Sequence, residues 1–380
     1  MPTTDWNFKY NNTTDFTNSV LSASITQGRQ KYLDPYSGGS ISITINNNAN
    51  LAANFTFNTQ ILVRNNLTTG DYVEVFVVQE ITFNDYPGNV GLSTATIFAV
   101  DALGRAGRIQ ATNKNLTQTN TLNQVEQFNF STLPSDLVIS TPYGGGESIA
   151  SAQTYTGTVL NQINITNATE RGIFTTSSIG SLTTQRILPF ERVNPYMSLG
   201  SYSFGRNTSS SVIAYNSFNR YQNGLSFINT ATISPSGLSS ETRTNSSSIT
   251  SFGPTFYSAS TVDYNATQAQ GNGDWIVNSF SDPASERFEL GFTDRAQNSV
   301  AYDLFSSFFF APLNLLYAVA YRLPGAGSDT TVNLVREGWE INISPSETSY
   351  RLFFSPLTYY QFFTLNSTTL GILDTSRLGW

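Results

Sequence analysis

Ser40-Ile-Ser-Ile-Thr-Ile-Asn46 alternates apolar and polar residues over its whole length. A period of two is typical of a β-strand with one buried face, and that face would carry Ile41, Ile43 and Ile45. β-Branched isoleucine and threonine also favour the extended backbone. A single strand is not stable alone, so we expect neighbouring strands. This stretch therefore predicts a β-sheet in the first part of the chain.

Further strands are predicted on both sides of this stretch. Residues 20–27 form one candidate, and residues 72–79 and 93–100 form two more. The run Asn84-Asp-Tyr-Pro-Gly-Asn89, between the last two, is rich in turn-forming residues. Together these elements predict an N-terminal β-barrel or sandwich over residues 1–110.

The rest of the chain divides into three predicted parts. Residues 111–165 are expected to be a connecting segment, with a helix over residues 147–163 where apolar residues recur at helical spacing. Residues 166–292 predict a middle β-rich domain, and residues 293–380 a helix plus C-terminal strands that complete a second barrel. The predicted fold class is mainly β, with several barrel or sandwich domains and a few short helices.

Shorter stretches predict individual elements within these parts. Residues 111–130 are mostly polar and rich in Asn and Gln, so we expect a loop or an excursion there. The best helix candidate spans residues 294–308. Strands are predicted at residues 313–321 and 331–343, before an aromatic closing segment.

The composition excludes several kinds of chemistry. The chain has no cysteine and no histidine, so disulfides, thiol nucleophiles and His-based catalytic triads are absent. Glycoside hydrolysis by carboxylates and an all-oxygen calcium site stay open on composition alone. Charged residues make up 12% and aromatic residues 13%, so most of the polar surface must be uncharged. This balance favours an extracellular or virion protein.

The charge distribution argues against stable nucleic-acid binding. The net charge is −7, and the only lysines are Lys9, Lys31 and Lys114. No basic run is present that could neutralise a series of phosphates. An acidic balance suits a conduit through which DNA passes, because like charges repel.

The most apolar window, residues 299–321, does not predict a membrane span. Asp303, Pro312 and Asn314 interrupt it, whereas a spanning helix needs about 20 mostly apolar residues. We expect a helix that ends before Pro312 and a buried strand after it.

The carboxylates suggest no catalytic pair. Glu337 and Glu340 lie in one predicted strand, and a spacing of three places them on opposite faces. We therefore expect no enzymatic activity, no cofactor and no metal. Tryptophans at positions 6, 275, 339 and 380 could stack on sugars, although such residues are more often core or interface.

The C-terminal segment is apolar and aromatic, whereas free termini usually fray as polar residues. It ends Leu370-Gly-Ile-Leu-Asp-Thr-Ser-Arg-Leu-Gly-Trp380. We therefore expect it to be docked against the subunit core or a neighbour. The side chains expected to be largely buried are Phe362, Phe363, Leu370, Leu373 and Trp380.

Three segments, in this order, carry a family resemblance. The first is Val20-Leu-Ser-Ala-Ser-Ile-Thr-Gln-Gly-Arg-Gln-Lys31, continuing through the strand that ends at Asn46. The second is Thr69-Gly-Asp-Tyr-Val-Glu-Val75 with Thr94-Ala-Thr-Ile-Phe-Ala-Val-Asp-Ala-Leu-Gly-Arg105. The third is Val335-Arg-Glu-Gly-Trp-Glu-Ile-Asn-Ile-Ser-Pro345 with the closing run of the chain. Together they resemble minor tail or tail-hub proteins of phages with long non-contractile tails, which are similar to the central baseplate hubs of contractile tails.

The resemblance implies a structural virion protein at the distal end of the phage tail. Such hubs form a homotrimeric ring under the tail tube, each subunit carrying two tube-like β-barrels, and the ring encloses the DNA channel. The implied partners are further copies of the chain, the tail tube or distal tail protein, the tape measure protein, and fibre or tip proteins. The protein would close the tail tube and anchor the fibres.

The resemblance also gives candidate assembly residues. Arginine forks bind carboxylates and carbonyls well, so we expect the sixteen arginines mainly in contacts between subunits or domains. Arg29, Arg105 and Arg377 lie inside the matching segments. The apolar candidates of the closing run are Leu370, Leu373 and Trp380. Two alternatives stay open: a receptor-binding or glycan-binding tail protein, and a glycan-cleaving tail enzyme.

Overall fold

The computed structural model describes most of the chain. The described residues are 6–11, 13–65, 72–86, 88–141, 146, 148–176, 178–179, 184–190, 202–222, 227–282, 286–296, 300–310 and 315–360.

Strands dominate these residues. The strands up to residue 100 are β1 (Trp6–Tyr10), β2 (Thr14–Asp15), β3 (Val20–Gly28), β4 (Ser40–Asn46), β5 (Gln60–Asn65), β6 (Tyr72–Asn84) and β7 (Thr94–Val100). Those up to residue 190 are β8 (Gln110–Leu116), β9 (Thr119–Asn120), β10 (Leu137–Ile139), β11 (Ile149–Ala150), β12 (Gln153–Thr158), β13 (Ile173–Thr176), β14 (Ser178–Ile179) and β15 (Gln185–Phe190). The later ones are β16 (Ser203–Gly205), β17 (Val212–Ala214), β18 (Ser217–Gln222), β19 (Thr230–Pro235), β20 (Glu241–Thr244), β21 (Phe256–Thr261), β22 (Glu286–Thr293), β23 (Leu316–Tyr321), β24 (Thr330–Ile343) and β25 (Thr348–Pro356).

The helices are fewer and mostly short. The α-helices are α1 (Ala102–Ala106), α2 (Thr121–Glu126), α3 (Val159–Glu170), α4 (Ser246–Phe252), α5 (Ala266–Phe280) and α6 (Val300–Phe308). Single 3₁₀ turns occur at Thr17–Ser19, Leu51–Asn54, Val90–Leu92, Gln127–Asn129, Asp294–Ala296 and Leu357–Tyr359. The predicted fold class, mainly β with a few short helices, is confirmed. Within the described part of the chain, no helix is long and apolar enough to cross a membrane.

One sheet of 15 strands joins the two ends of the chain. Its main path runs β17-β16-β23-β24-β3-β4-β7-β6-β5-β1-β2, and β25 links β24 to β22 and β18. The junction is the antiparallel pair β3–β24, in which Ile25 lies opposite Ile341 and Gln27 opposite Trp339. The first strands and the last strands therefore belong to one hydrogen-bonded unit, although about 300 residues of sequence separate them.

The alternation that predicted β4 has the expected consequence. Ile41, Ile43 and Ile45 are each 0% exposed, and the residues between them are partly exposed. β4 pairs on one side with β3 and on the other with β7. The same core receives many aromatic side chains from α6 and β22–β25, such as Phe305 and Phe354.

Two smaller cores lie beside this sheet. One lies among α1, α2 and α3, with Leu103, Leu122 and Ile163 buried in it. The other lies between α5 and the three-stranded sheet β20-β19-β21, where Ile233 and Ile276 are buried. Of the described α-helices, α1, α2, α3 and α5 contribute side chains to these two cores.

The prediction for residues 147–163 is wrong in its first half. Residues Gln153–Thr158 form strand β12, which pairs with β8 as a two-stranded ribbon. The helix begins only at Val159, because the Thr158 hydroxyl accepts a hydrogen bond from the Asn161 N–H and so caps the helix. Apolar residues recur at helical spacing across the whole stretch, so the sequence did not reveal that a strand precedes the helix.

The predicted loop over residues 111–130 is also wrong. This stretch holds β8, β9, α2 and a 3₁₀ turn. In β8 only Ala111 and Leu116 are buried, because the rest of the ribbon faces solvent. A ribbon that buries so little needs few apolar residues, and its polarity gave it the appearance of a loop.

The predictions near the C-terminus are largely confirmed. The helix expected over residues 294–308 is a 3₁₀ turn, Asp294–Ala296, followed by α6. The two strands expected after it are β23 and β24, within three residues of the predicted limits. The proposed limits of the four domains stay a prediction.

Candidate functional site

Two glycines allow the chain ends to meet beside Arg29. Gly28 has φ of +84°, a left-handed conformation that glycine adopts without strain. A Cβ atom on Gly28 would lie 2.3 Å from the Glu337 carbonyl oxygen, and one on Gly338 would lie 2.6 Å from that of Gln27. No larger side chain fits at this crossing of β3 and β24. The close approach brings Arg29 directly to Glu337.

The Arg29 guanidinium is bound entirely within the chain. Its Nε donates to the Glu337 carboxylate at 2.7 Å, and the two side chains are 1% and 0% exposed. Its Nη2 donates to the Tyr360 hydroxyl at 3.3 Å and to the Gly172 carbonyl at 3.4 Å. The Tyr360 hydroxyl in turn donates to Glu337 at 2.5 Å. Arg29 thus connects β3 to β24, to the start of β13 and to the end of the described chain.

Two tyrosine rings enclose the same guanidinium. It lies 5.1 Å from the ring centre of Tyr32 and 4.6 Å from that of Tyr36, within cation–π range. Burial by itself lowers the pKa of Arg29, but the charge and hydrogen bond of Glu337, together with Tyr36 and Tyr360, outweigh burial and hold the pKa well above the usual value. Burial raises the pKa of Tyr36 to about 12. The arginine is therefore charged and the tyrosine neutral at any physiological pH.

Arg105 makes a second link inside the chain. From the last turn of α1 it binds Asp136 through two hydrogen bonds, of 2.9 and 3.1 Å, and Gln185 through a third of 2.9 Å. Although partial burial opposes ionisation, the bonds from Arg105 lower the pKa of Asp136. This fork joins α1 to the residues before β10 and to β15.

The other assembly candidates lie outside the described residues. These are Arg377, Leu370, Leu373 and Trp380, together with Phe362 and Phe363. Of the tryptophans considered as sugar platforms, Trp6 and Trp339 are buried in the main core. Trp275 is half-buried under the Arg171 guanidinium, 4.2 Å from its ring centre.

The sequence did not predict one pair of buried carboxylates. Glu74 on β6 and Asp101 before α1 are 2% and 0% exposed. The Thr176 hydroxyl donates to Glu74 at 2.6 Å, and the Gln27 amide reaches Glu74 at 3.4 Å and Asp101 at 3.2 Å. Gln27 also contacts Thr176. Four distant segments therefore meet here, and only the position of Glu74 inside an apolar strand hinted at it.

The surroundings of Asp101 and of Glu74 differ. The Asp101 carboxylate caps α1 by accepting from the Gly104 N–H at 2.7 Å, and it also accepts from the Gly39 N–H at 2.9 Å. Burial, with a smaller contribution from nearby Asp101, raises the pKa of Glu74 to about 8. The pair is closed to solvent, so a substrate cannot reach it as the chain is folded here. Through its hydrogen bonds the pair holds these segments together.

The other two glutamates lie apart as predicted. Glu337 is in the interior with Arg29, whereas Glu340 lies at the surface beside Arg351, at 3.2 Å. Among the described residues, no three acidic side chains are grouped in a way that could hold a metal ion.

An exposed apolar group lies at the β6–β7 hairpin. β6 is buried over residues 73–78, but its last residues are exposed. Phe83, Tyr86 and Leu92, around the hairpin turn, are 49%, 52% and 58% exposed. Phe57, on the turn before β5, is 71% exposed. Exposed apolar side chains around one hairpin turn, here Phe83, Tyr86 and Leu92, are typical of a protein–protein contact.

Comparison with known proteins identifies the fold. No protein-family model matches the sequence, and neither does any curated protein. The structure is similar to that of a tail protein from Neisseria meningitidis, with a TM-score of 0.60, 8% identity, and coverage of 94% of this chain and 98% of that chain. It is also similar to a 43 kDa tail protein of the prophage MuSo2 from Shewanella oneidensis, with a TM-score of 0.51, 12% identity, and coverage of 94% and 98%.

The chain therefore has the fold of phage tail proteins over nearly its whole length. The resemblance stated from sequence is confirmed at the level of the fold.

Proposed function

We propose that this protein is a structural component of a phage tail, and that it forms the central hub at the distal end. One observation carries the tail role: the whole chain, and not one domain of it, has the fold of a tail protein. A shared domain can serve many functions, and a match over 94% of this chain and 98% of the similar tail protein supports a shared role more than one shared domain would. The resemblance of the matching segments supports the narrower assignment to the hub.

The internal contacts suit a load-bearing part. The first and last strands share one sheet, and the buried Arg29–Glu337 pair fixes their crossing. Pulling these strands apart would break the β3–β24 backbone pairing and expose the apolar side chains packed across it, such as Ile25 and Ile341, to water. The exposed apolar hairpin offers a surface for a neighbouring copy or another tail protein.

The charge pattern supports a channel without affinity for DNA. The chain carries three lysines, and arginines 29, 105 and 351 are each bound to carboxylates. A wall with few free cations releases few counterions on contact with DNA, so DNA would pass without being held. We therefore propose a homotrimeric ring with acidic or neutral channel walls.

We also propose that the protein has no catalytic activity. The chain lacks Cys and His, and the one pair of carboxylates identified in the interior is closed to solvent. Turnover of host polysaccharide by the purified protein, lost on replacement of a single Asp or Glu, would contradict this.

Electron microscopy of the purified protein and of the virion tests the hub assignment. We expect a three-fold ring with a central hole, positioned at the end of the tail tube. A monomer attached to the outside of the tail would contradict the hub while leaving the tail role intact. A protein absent from purified virions would contradict both.

A further inference from the structure

A groove runs between α3 and β21. It encloses about 400 Å³. One wall is formed by α3, with Asn164, Ile165 and Ala168, and the other by β21, with Ser258 and Ser260. The residues that line the groove belong neither to the apolar hairpin nor to the Glu74–Asp101 pair.

The hydrogen bonds around β21 show which backbone groups face this groove. The Thr261 carbonyl accepts from the Ser236 N–H, so Thr261 faces β19, its parallel partner. At the next residue, Val262, the N–H donates to the Thr169 hydroxyl and the carbonyl accepts from the Ser151 N–H, on the opposite side. Successive residues of a strand direct their backbone groups to opposite edges.

Ser258 and Ser260 therefore direct their N–H and C=O groups away from β19, into the groove. Both residues are exposed, and β21 is the last strand of its sheet. Within the described part of the chain, no hydrogen bond satisfies these backbone groups. An open edge is usually protected by a charge, a proline or a bulge in the strand, or by a helix or loop that covers it. β21 carries no charge, proline or bulge between Phe256 and Thr261, and the groove separates this part of its edge from α3.

We propose that this groove binds an extended segment of another polypeptide, which adds to β21 as a further strand. The segment would alternate apolar and hydroxyl side chains and carry no charge. This proposal does not depend on the tail role, because it rests on the open edge alone.

The two sides of the sheet define this pattern. The inner side of an added strand would face Ile165 and Ile276 in the groove. Its outer side would extend a hydroxyl-covered surface, in which Thr232 bonds Thr242 at 3.1 Å and a neighbouring serine pair does the same. Alternating side chains that match both surfaces are what strand addition selects.

The charges that line the groove are already neutralised or engaged. Asp34 lies 3.7 Å from the Lys31 ammonium. The Arg171 guanidinium lies over the Trp275 ring and bonds Asn272. Because both charges already have partners, neither needs an opposite charge on the bound segment, and an uncharged segment is favoured.

The far end of the groove limits the length of the bound segment. The backbone of Val262 is already bonded to Thr169 and Ser151, and Ala150 forms an isolated bridge with Asp263. An added strand must therefore stop before Val262 and pair only with residues 256–260. So short a pairing predicts moderate affinity that depends mostly on backbone hydrogen bonds.

A binding experiment on the full chain tests the proposal. The probe is a fluorescein-labelled uncharged peptide, Gly-Thr-Val-Thr-Ile-Thr-Val-Thr-Asn-Gly-amide, and binding is followed by fluorescence anisotropy. Its control is a peptide of the same composition with the alternation scrambled. We expect saturable binding of the alternating peptide and at least about tenfold weaker binding of the scrambled one.

Two substitutions of Ser258 distinguish the contribution of its backbone N–H to binding from that of its hydroxyl. Ser258→Pro removes the N–H that faces the groove, and an edge strand tolerates proline at such a position. It should weaken binding by about tenfold or more. Ser258→Ala keeps the N–H and removes only the hydroxyl, so binding should be unchanged. Ala168→Phe fills the groove from the helix and should also abolish binding.

Circular dichroism and thermal melting confirm that each variant is folded, and Ala168→Phe tests the groove even if Ser258→Pro does not fold. Absence of peptide binding at millimolar concentration would overturn the proposal. So would equal binding of both peptides, or of the unmodified chain and the folded proline and phenylalanine variants.

Discussion

At the scale of single residues, a buried ion pair and an exposed one differ in what the loss of one partner costs. Arg29 and Glu337 lie 2.7 Å apart with almost no exposure, whereas Arg351 reaches Glu289 at the same distance but is 47% exposed. The two ion pairs have the same N···O distance but different burial, so the removal of one partner should have different energetic costs. Removal of one buried partner leaves the other charge without compensation, while water replaces a lost surface partner.

Glu337→Gln should therefore lower the free energy of unfolding by about 3–5 kcal/mol. The matched control is Arg351→Met, which should cost less than about 1 kcal/mol. Urea denaturation followed by tryptophan fluorescence measures both. Equal costs for the two variants would show that the Arg29 pair is not buried in solution.

Glu74 gives a pH dependence of known sign. Its pKa of about 8 in the folded chain lies above the usual 4.5, so the folded protein binds a proton that the unfolded chain releases earlier. Its contribution to stability is complete below about pH 4.5 and is lost as the pH rises to about 8, by up to about 1.4 kcal/mol per pH unit.

Glu74→Gln should remove this dependence. The difference in free energy of unfolding between the two proteins, measured by urea denaturation from pH 5 to pH 9, should change in favour of the variant as the pH rises. Other groups titrate equally in both proteins and cancel in the difference. A difference independent of pH would mean that Glu74 is ionised in the folded state.

At the scale of elements, the sequence predicts strands well where they alternate. β4 was predicted to the residue, because one of its faces is fully buried and the other is not. β12 was missed because its single buried residue, Tyr155, leaves no alternation to detect. The junction of β3 with β24 could not be predicted, since no local pattern records a partner about 300 residues away.

The same limit applies to the candidate site. Arg29 was selected by its place in a family-like segment, and its partner Glu337 lay in another such segment, yet nothing in the sequence joined them. Glu74 and Asp101 were not proposed as a pair, because a pair of carboxylates is recognised from sequence only when both lie in one element. Their proximity follows from the β6–β7 pairing, in which Val77 lies opposite Val100, the residue before Asp101.

The crossing of β3 and β24 can be tested through its glycine. Gly28 and Gly237 have similar φ values, +84° and +76°, but a Cβ atom would meet the Glu337 carbonyl only at Gly28. Gly237→Ala should cost about 1–2 kcal/mol from the backbone conformation alone. Gly28→Ala should cost a further 1–3 kcal/mol or so, because the two strands must separate. Thermal melting compares the two variants, and equal losses would mean that the crossing is loose.

At the scale of the whole molecule, the fold places the first and the last described strands in one sheet. The described chain ends at Tyr360, which is buried with its ring 4.6 Å from that of Tyr32, shortly after β3. The segment that follows thus begins from a fixed and buried position. Its apolar sequence then decides whether the subunit is complete by itself or requires a neighbour.

Deletion of residues 370–380 should therefore abolish assembly or solubility. Burial of a side chain as large as leucine contributes about 1.5–3 kcal/mol, so loss of Leu370, Leu373 and Trp380 together would remove a large part of the stability of a domain or interface. The measurement is the yield of soluble protein and its incorporation into tails. A control that replaces only polar residues of the segment, Thr375→Ala with Ser376→Ala, should assemble normally. If the truncated chain is soluble and builds normal tails, the C-terminal segment has no structural role.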